Sequence, residues 1–180
     1  AEPRDVAACG MSLHEHLELQ LDFCNLSPQQ RVQGRYLIGC IDNNGYFTGT
    51  LEDAAAALNC SQESVEALLL LVQGFDPAGV GARNLQECLR IQLRQRGVQD
   101  PLIDCLIDEY LEAAASGRYA WIAAKIGVTA EEVRKAMQLI RTLNPKPGSA
   151  VSADGPCSYV VPDITVRKID GEYLILINDT

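Results

Sequence analysis

Apolar residues recur at helical spacing through most of the chain, and the polar residues between them mark where each helix begins. Leu13, Leu17, Leu21 and Cys24 form one stripe, opened by Ser12 with Glu15 three residues on, the pair of a capping box. Ser27-Pro28-Gln29-Gln30 restarts the chain with an N-cap, a proline in the first turn and a second capping box. Val32, Tyr36, Leu37, Ile38, Cys40 and Ile41 are then expected to face inward, until the turn residues Asp42-Asn43-Asn44-Gly45 stop the helix. Val65, Leu68, Leu69 and Val72 predict a helix that Asp76-Pro77 must end, because proline lacks an amide proton and clashes with the preceding turn. Residues 85–95 follow as another helix, with Asn84 as N-cap, Glu87 placed to complete a capping box and Gly97 as its stop. Asp100-Pro101 opens the next, whose expected core face is Ile103, Leu106, Ile107, Tyr110 and Leu111.

The chain also repeats itself. Residues 51–77 align without a gap on residues 119–145, pairing Ala55 with Ala123, Leu58 with Ile126, Ser61 with Thr129, Val65 with Val133, Val72 with Ile140 and Asp76-Pro77 with Asn144-Pro145. Each copy predicts a short helix, a turn at Asn59 or Gly127, an N-cap Ser or Thr, and a longer helix, which is the helix-turn-helix pattern. Beyond Pro145 the composition turns to Pro, Gly and Ser. Ile164, Val166, Leu174 and Leu176, with Asp170-Gly171 as a two-residue turn, then predict a β-hairpin. The expected fold is mainly α: a frayed tail over residues 1–11, two helical subdomains with helix-turn-helix-like repeats over 12–97 and 98–150, and a small β-hairpin element over 151–180.

Composition narrows the function classes. A formal net charge of −9 with 47% hydrophobic and 22% charged residues describes a globular protein. It argues against a chain whose main task is coating nucleic acid, since that affinity comes from neutralising phosphates, and it leaves room for a basic protein partner. No apolar run approaches the roughly twenty residues of a membrane span, and Ala1-Glu2-Pro3-Arg4-Asp5 does not begin a leader, so the cytoplasm is the expected location and no membrane partner is expected. The lack of an initiator Met and the stop at Asn178-Asp179-Thr180 point to an excerpt of a longer protein, expected to be monomeric. Cys9, Cys24, Cys40, Cys60, Cys88, Cys105 and Cys157 form no C-x-x-C pair and are odd in number, so they read as structural thiols.

Candidate chemistry is sparse. His14 and His16 lie two apart on a helix, point to nearly opposite sides and read as a solvated or cap-adjacent pair; no metal is expected. Asp42-Asn43-Asn44-Gly45 is too short for a calcium loop. Gly79-Val80-Gly81 lacks the third glycine of a dinucleotide loop, since Asn84 stands there, and follows a helix instead of a strand. No nucleophile motif or supported acidic pair appears, so neither an enzyme nor a cofactor is expected. The second helices of the two repeats begin Gln62-Glu63 and Ala130-Glu131-Glu132, and acids there suit the helix dipole but repel phosphates, against groove reading. Arg83, Arg90, Arg94 and Arg96 read either as a solvated face or as a dock for an acidic protein surface, and the sequence does not separate the two.

The stretch from Gly74 to Leu85 carries the strongest signal, a rigid elbow in which Gly79 and Gly81 supply positive φ or a close approach. Asp76-Pro77-Ala78-Gly79-Val80-Gly81-Ala82-Arg83-Asn84-Leu85, followed by Glu87-Cys88-Leu89, resembles the DPxGVGARxLxECL signature of the sigma-54 class of bacterial RNA polymerase sigma factors. Ser12-Leu13-His14-Glu15-His16-Leu17, Asp42-Asn43-Asn44-Gly45-Tyr46, Leu143-Asn144-Pro145-Lys146-Pro147-Gly148 and Tyr159-Val160-Val161-Pro162-Asp163 agree with the same family in order and spacing. Ala78 departs from it, standing where the family often has a second proline.

The resemblance implies a core-binding region that attaches to core RNA polymerase, without catalysis of its own, in support of initiation at activator-dependent promoters. In the full-length family members, other regions meet promoter DNA and an ATP-driven activator. On this reading the elbow residues Asp76, Pro77, Gly79, Val80, Gly81, Arg83 and Leu85, then Glu87 and Arg90, are the expected polymerase-binding set. An independent helix-turn-helix DNA-binding transcription regulator is the alternative.

Overall fold

The computed structural model describes residues 10–151 in full, together with the backbone of Ile164–Ile169 and Glu172–Ile177. The described residues are mainly helical: α1 (Leu13–Phe23), α2 (Pro28–Gly39), α3 (Leu51–Leu58), α4 (Gln62–Val72), α5 (Leu85–Gln95), α6 (Pro101–Glu109), α7 (Leu111–Ala115), α8 (Tyr119–Ile126) and α9 (Ala130–Arg141), then a 3-10 turn at Pro147–Ala150. Among them, no helix is long and apolar enough to cross a membrane. Local chemistry sets most of the starts. Ser12 with Glu15, Ser27 with Gln30 and Thr129 with Glu132 close reciprocal capping boxes, which satisfy amides that the first helical turn leaves without partners.

Ile164–Ile169 and Glu172–Ile177 pair antiparallel, Ile164 opposite Ile177 and Ile169 opposite Glu172. The expected turn Asp170-Gly171, the tail over residues 1–9, Cys157 and the motif over residues 159–163 lie outside the described residues.

Two buried clusters organise residues 11–151. The first gathers Leu13, Leu17 and Leu21 of α1, Leu37 and Ile38 of α2, Ala54 of α3 and Val65, Leu68, Leu69 and Val72 of α4. The second gathers Leu89 and Leu93 of α5, Ile103, Leu106 and Ile107 of α6, Ala114 of α7, Ile122 and Ala123 of α8 and Val133, Met137 and Ile140 of α9. The aligned halves of the repeat take the same form: α3 and α4 match α8 and α9, with left-handed turns at Asn59 (φ 49°) and Gly127 (φ 83°) and N-caps Ser61 and Thr129. Val65 and Val133, an aligned pair, are both fully buried.

The duplication extends to the helices that precede each repeat. α1 and α5 correspond position by position: N-caps Ser12 and Asn84, inward Leu17 and Leu89, then Gln20 and Gln92, then inward Leu21 and Leu93. α2 and α6 follow them, each with a proline in its first turn after a capping Ser27 or Asp100. Each cluster is therefore one helix packed with a second helix and a helix-turn-helix pair, to which the second cluster adds the short α7.

One expectation about facing residues is corrected. Val32 and Tyr36 are 65% and 41% exposed, while Gln33 and Gly34 are buried. Gly34, Leu37, Ile38 and Ile41 share one helical face, and Val32 and Tyr36 fall on the other. Gly34 is there because α1 passes close: a Cβ on it would meet Leu21 Cδ1 at 2.8 Å. The expected face of α6 holds through Ile107, and Tyr110 and Leu111 also pack against the second cluster, but from the C-cap of α6 and the first residue of α7 instead of from one continuous helix.

Candidate functional site

The elbow is built by proline and glycine. Asp76-Pro77, whose peptide is cis, follows α4, and Gly79 and Gly81 then take φ of +93° and +76°, which an L side chain rarely adopts. Gly79 also answers a close approach: a Cβ there would lie 2.8 Å from both Cys88 Sγ and Gln92 Nε2. Val80, between them, is fully buried.

Three stretches far apart in sequence meet at this elbow. The amide of Gly81 donates to Gly45 O at 2.8 Å and that of Phe47 to Ala82 O at 2.8 Å, which docks the turn after α2 onto the elbow. Asp42 Oδ1 holds that turn by accepting the amides of Asn44 and Tyr46, each at 2.9 Å. On its other side the Gly148 amide donates to Asn44 O at 2.9 Å, and the Tyr46 hydroxyl donates to the carbonyl of Pro145, 99 residues away. Burial pushes the Tyr46 hydroxyl far above its ordinary pKa, with the neighbouring Cys88 thiol adding to the rise. Burial likewise raises Cys88, whereas hydrogen bonds from Gln92 and Tyr46 pull it down. The turn 42–46, the elbow and the loop 144–148 are therefore one stitched junction.

Two glutamines fasten the residues that precede the prolines. Gln20 donates through Nε2 to Asp76 O at 2.6 Å and accepts the Asp76 amide at 2.8 Å. Gln92 does the same for Asn144, at 2.7 and 2.8 Å. Gln20 and Gln92 occupy matching places in α1 and α5, and Asp76 and Asn144 are aligned in the repeat, so the clasp occurs twice. Each clasp satisfies both main-chain groups of a residue that a helix can no longer serve. The histidines likewise have partners instead of lying solvated: His14 Nε2 donates to Ile41 O at 2.8 Å, and His16 Nε2 lies 3.1 Å from Asp76 Oδ2.

Glu87 departs from its expected capping role. Asn84 accepts the Glu87 amide at 2.8 Å, but the Glu87 carboxylate reaches past the N-cap and takes the Arg83 amide at 2.6 Å, with the Arg83 guanidinium at 2.7 and 3.0 Å. Arg83 offers three donors in one direction and Asn84 only its amide, so the forked geometry wins. Burial pushes the Glu87 carboxyl up, the Arg83 hydrogen bonds outweigh it, and the pKa ends below the ordinary carboxylate value. A carboxyl lowered in this way stabilises the fold above its unfolded pKa and loses that contribution as pH falls through the folded value. Glu87→Gln is expected to cost about 1–2 kcal/mol at neutral pH. Urea denaturation of both proteins across acid pH checks it: the gap should shrink below the ordinary carboxylate range, and a constant gap would refute the electrostatic origin.

Two more arginines of the run 83–96 hold intramolecular partners. Arg90 pairs with Asp108 of α6, and Arg96 donates to Thr142 Oγ1 at 2.9 Å. Of the residues expected at the site, Pro77, Gly79, Val80 and Gly81 are buried and shape the elbow, Glu87 and Arg90 are half-buried, and Asp76, Arg83 and Leu85 are exposed. Cys24, Cys40, Cys60, Cys88 and Cys105 are free thiols, and among the described residues no His, Cys, Asp and Glu gather in a way that could hold a metal. Sequence reasoning missed Gln20 and Gln92 and named Tyr46 only within a motif, without its partner, since neither glutamines in helices nor a tyrosine after a turn signals a distant contact.

A family model described as the sigma-54 factor, core binding domain, matches residues 2–180. The chain is similar to the RNA polymerase sigma-54 factor of Acidithiobacillus ferridurans, 39% identical over 87% of this chain and 34% of that protein. It is likewise similar to that of Pseudomonas putida, 36% identical over 95% of this chain and 36% of the other, and to that of Azorhizobium caulinodans, 38% identical over 98% and 34%. The chain thus spans about a third of the length of the relatives it matches. A crystal structure of Aquifex aeolicus sigmaN bound to promoter DNA is similar at a TM-score of 0.49 and 19% identity, covering 91% of this chain and 45% of that one.

Proposed function

Because this chain belongs to the sigma-54 factor family, within its core-binding domain, we propose that it docks on core RNA polymerase as part of an alternative sigma factor and supports initiation at activator-dependent promoters. The observation that carries this reading is the family match across residues 2–180. The stitched junction supports a mechanism: the elbow sets the angle between the first helical cluster and α5, so that Asp76, Arg83 and Leu85 present one fixed face while Pro77, Gly79, Val80 and Gly81 hold it in shape. Glu87 and Arg90 complete the set by orienting Arg83 and by tying α5 to α6.

The wider reading has the chain working as a monomer in the cytoplasm, without catalysis. Promoter DNA and an ATP-dependent activator engage other regions of the full-length factor. We retain the two helical subdomains and the C-terminal hairpin, with α5, placed in the first subdomain by a boundary at residue 97, packing with the second through Leu89 and Leu93. An independent helix-turn-helix regulator is the weaker alternative, because Glu63 and the pair Glu131 and Glu132 occupy the first turns of α4 and α9, where phosphates would have to approach.

A pull-down of purified, sigma-free polymerase core with this chain tests the reading. Core should be retained, and Arg83→Glu should weaken retention about tenfold, equivalent to ~1.4 kcal/mol. If the folded chain retains no core, the docking reading is overturned.

A further inference from the structure

We propose that the second helix-turn-helix unit carries a contact for the phosphate backbone of duplex DNA on the outer face of α8, separate from the elbow and without sequence readout. The two copies share a backbone plan, so their charges can be compared position for position. Residues 51–77 hold Glu52, Asp53, Glu63, Glu66 and Asp76 and no lysine or arginine. Residues 119–145 hold Lys125, Arg134, Lys135 and Arg141 against Glu131 and Glu132, and Arg118 immediately precedes them. In a chain of net charge −9, one copy has thus become cationic on the frame that the other keeps acidic.

The cations are arranged for an external anion. Arg118, Trp121 and Lys125 form one exposed stripe along α8. The Arg118 guanidinium lies 4.5 Å from the centroid of the Trp121 ring and the Lys125 ammonium 5.8 Å from it. The ring thus holds two flexible cations in place by cation–π attraction, which lowers the ordering cost of meeting two phosphates. Arg134 is paired with Glu131, but neither Arg118 nor Lys125 takes a carboxylate partner among the described residues. Glu109 and Glu112 line a groove of about 300 Å³ on the Tyr110 side of Trp121, and Arg118 lines it with them, so a phosphate chain reaches the pair from the Lys125 side and meets Arg118 at the groove's edge.

The position fits the docking geometry of the motif. In a helix-turn-helix, the first helix crosses the backbone and the N-terminal end of the second reads the bases. Here Lys125 of the first helix and Arg118 at its N-cap have no carboxylate partner among the described residues, while the second helix opens with Glu131 and Glu132 and carries its own cations, Arg134, Lys135 and Arg141, further along. Backbone contact is favoured and base reading is not. An acidic protein surface would meet the same cations, but the matching helix-turn-helix frame and the division of charge between its two helices favour DNA.

Trp121 is the chain's single tryptophan, so its fluorescence reports directly on this face. The complete chain is titrated at low salt with a duplex DNA of unrelated sequence. A saturable change in Trp121 emission is expected, with affinity falling about tenfold between about 50 and about 200 mM salt, as for release of counterions from two phosphates. Arg118→Glu with Lys125→Glu should abolish the change; Arg118→Gln with Lys125→Gln, a milder pair, should weaken it at least fivefold with an unaltered thermal melt. A flat wild-type titration, or an equal response in the folded Gln pair, overturns the proposal. So does a response to polyglutamate without one to DNA, which would assign the face to an acidic protein. None of these outcomes depends on polymerase docking, which the pull-down reads separately.

Discussion

Gly79→Val is expected to cost about 3–4 kcal/mol of stability, read as a lower urea midpoint at unchanged m-value. Two effects add. Valine at φ +93° carries backbone strain of about 1–3 kcal/mol, and its Cβ would fall 2.8 Å from Cys88 Sγ and from Gln92 Nε2, and 3.2 Å from Cys88 O. Cys88 is fully buried and Gln92 is held by Asn144, so neither has room to withdraw. Moving Gln92 would also open the clasp and leave both main-chain groups of Asn144 without partners. Gly97→Ala separates the two effects, because Gly97 has φ +71° but nothing within 4 Å of its Cβ position, and should cost only about 1 kcal/mol. Equal losses at the two sites would mean that the crowding around Gly79 carries no weight.

Gly148→Val is expected to break the junction while sparing both helical clusters. Gly148 has no unusual φ, so the whole penalty comes from close approach: a Cβ would sit 2.7 Å from Asn44 C and from Gly45 N, which are backbone atoms. They cannot step aside, because Asp42 Oδ1 and the Gly81 amide hold that turn. The loop should lift off, losing the bond from the Gly148 amide to Asn44 O and the bond from Tyr46 to Pro145, for about 3 kcal/mol. Hydrogen exchange checks it. Exchange at residue 148 should approach that of an open amide, whereas amides in α4 and α9 stay protected; loss of protection throughout would show that the junction and the clusters do not separate.

What was legible in the sequence was local. Helix starts at Ser12, Ser27, Asn84, Asp100 and Thr129 were readable because a cap and its target lie within three residues of each other, and positive φ at Gly79 and Gly81 because few other residues tolerate it. The repeat of α3–α4 in α8–α9 was readable because its alignment has no gap. The match of α1 with α5 was not, since it rests on Leu17, Gln20 and Leu21 against Leu89, Gln92 and Leu93 amid unlike neighbours. Val32 and Tyr36 misled because apolar character signals burial, and here it does not. The candidate site was half legible. Motif residues at 42–46, 76–85 and 143–148 could be named from the sequence, but their meeting depends on hydrogen bonds across long separations that no periodicity encodes.

Those long separations also set the order in which the molecule assembles. Within each cluster, α1 to α4 or α5 to α9, helices close short loops onto near neighbours, and such contacts form quickly. Joining Tyr46 to Pro145 instead closes a loop of 99 residues, so the bonds from the turn 42–46 to the loop 144–148 are expected to form after both clusters have condensed. Interactions that appear after the rate-limiting step act as a brake on unfolding and leave the folding rate almost untouched. The stitch from Asn44 and Tyr46 to the loop 144–148 is therefore expected to act as a latch, adding little to how fast the chain reaches its native state and much to how long it remains there.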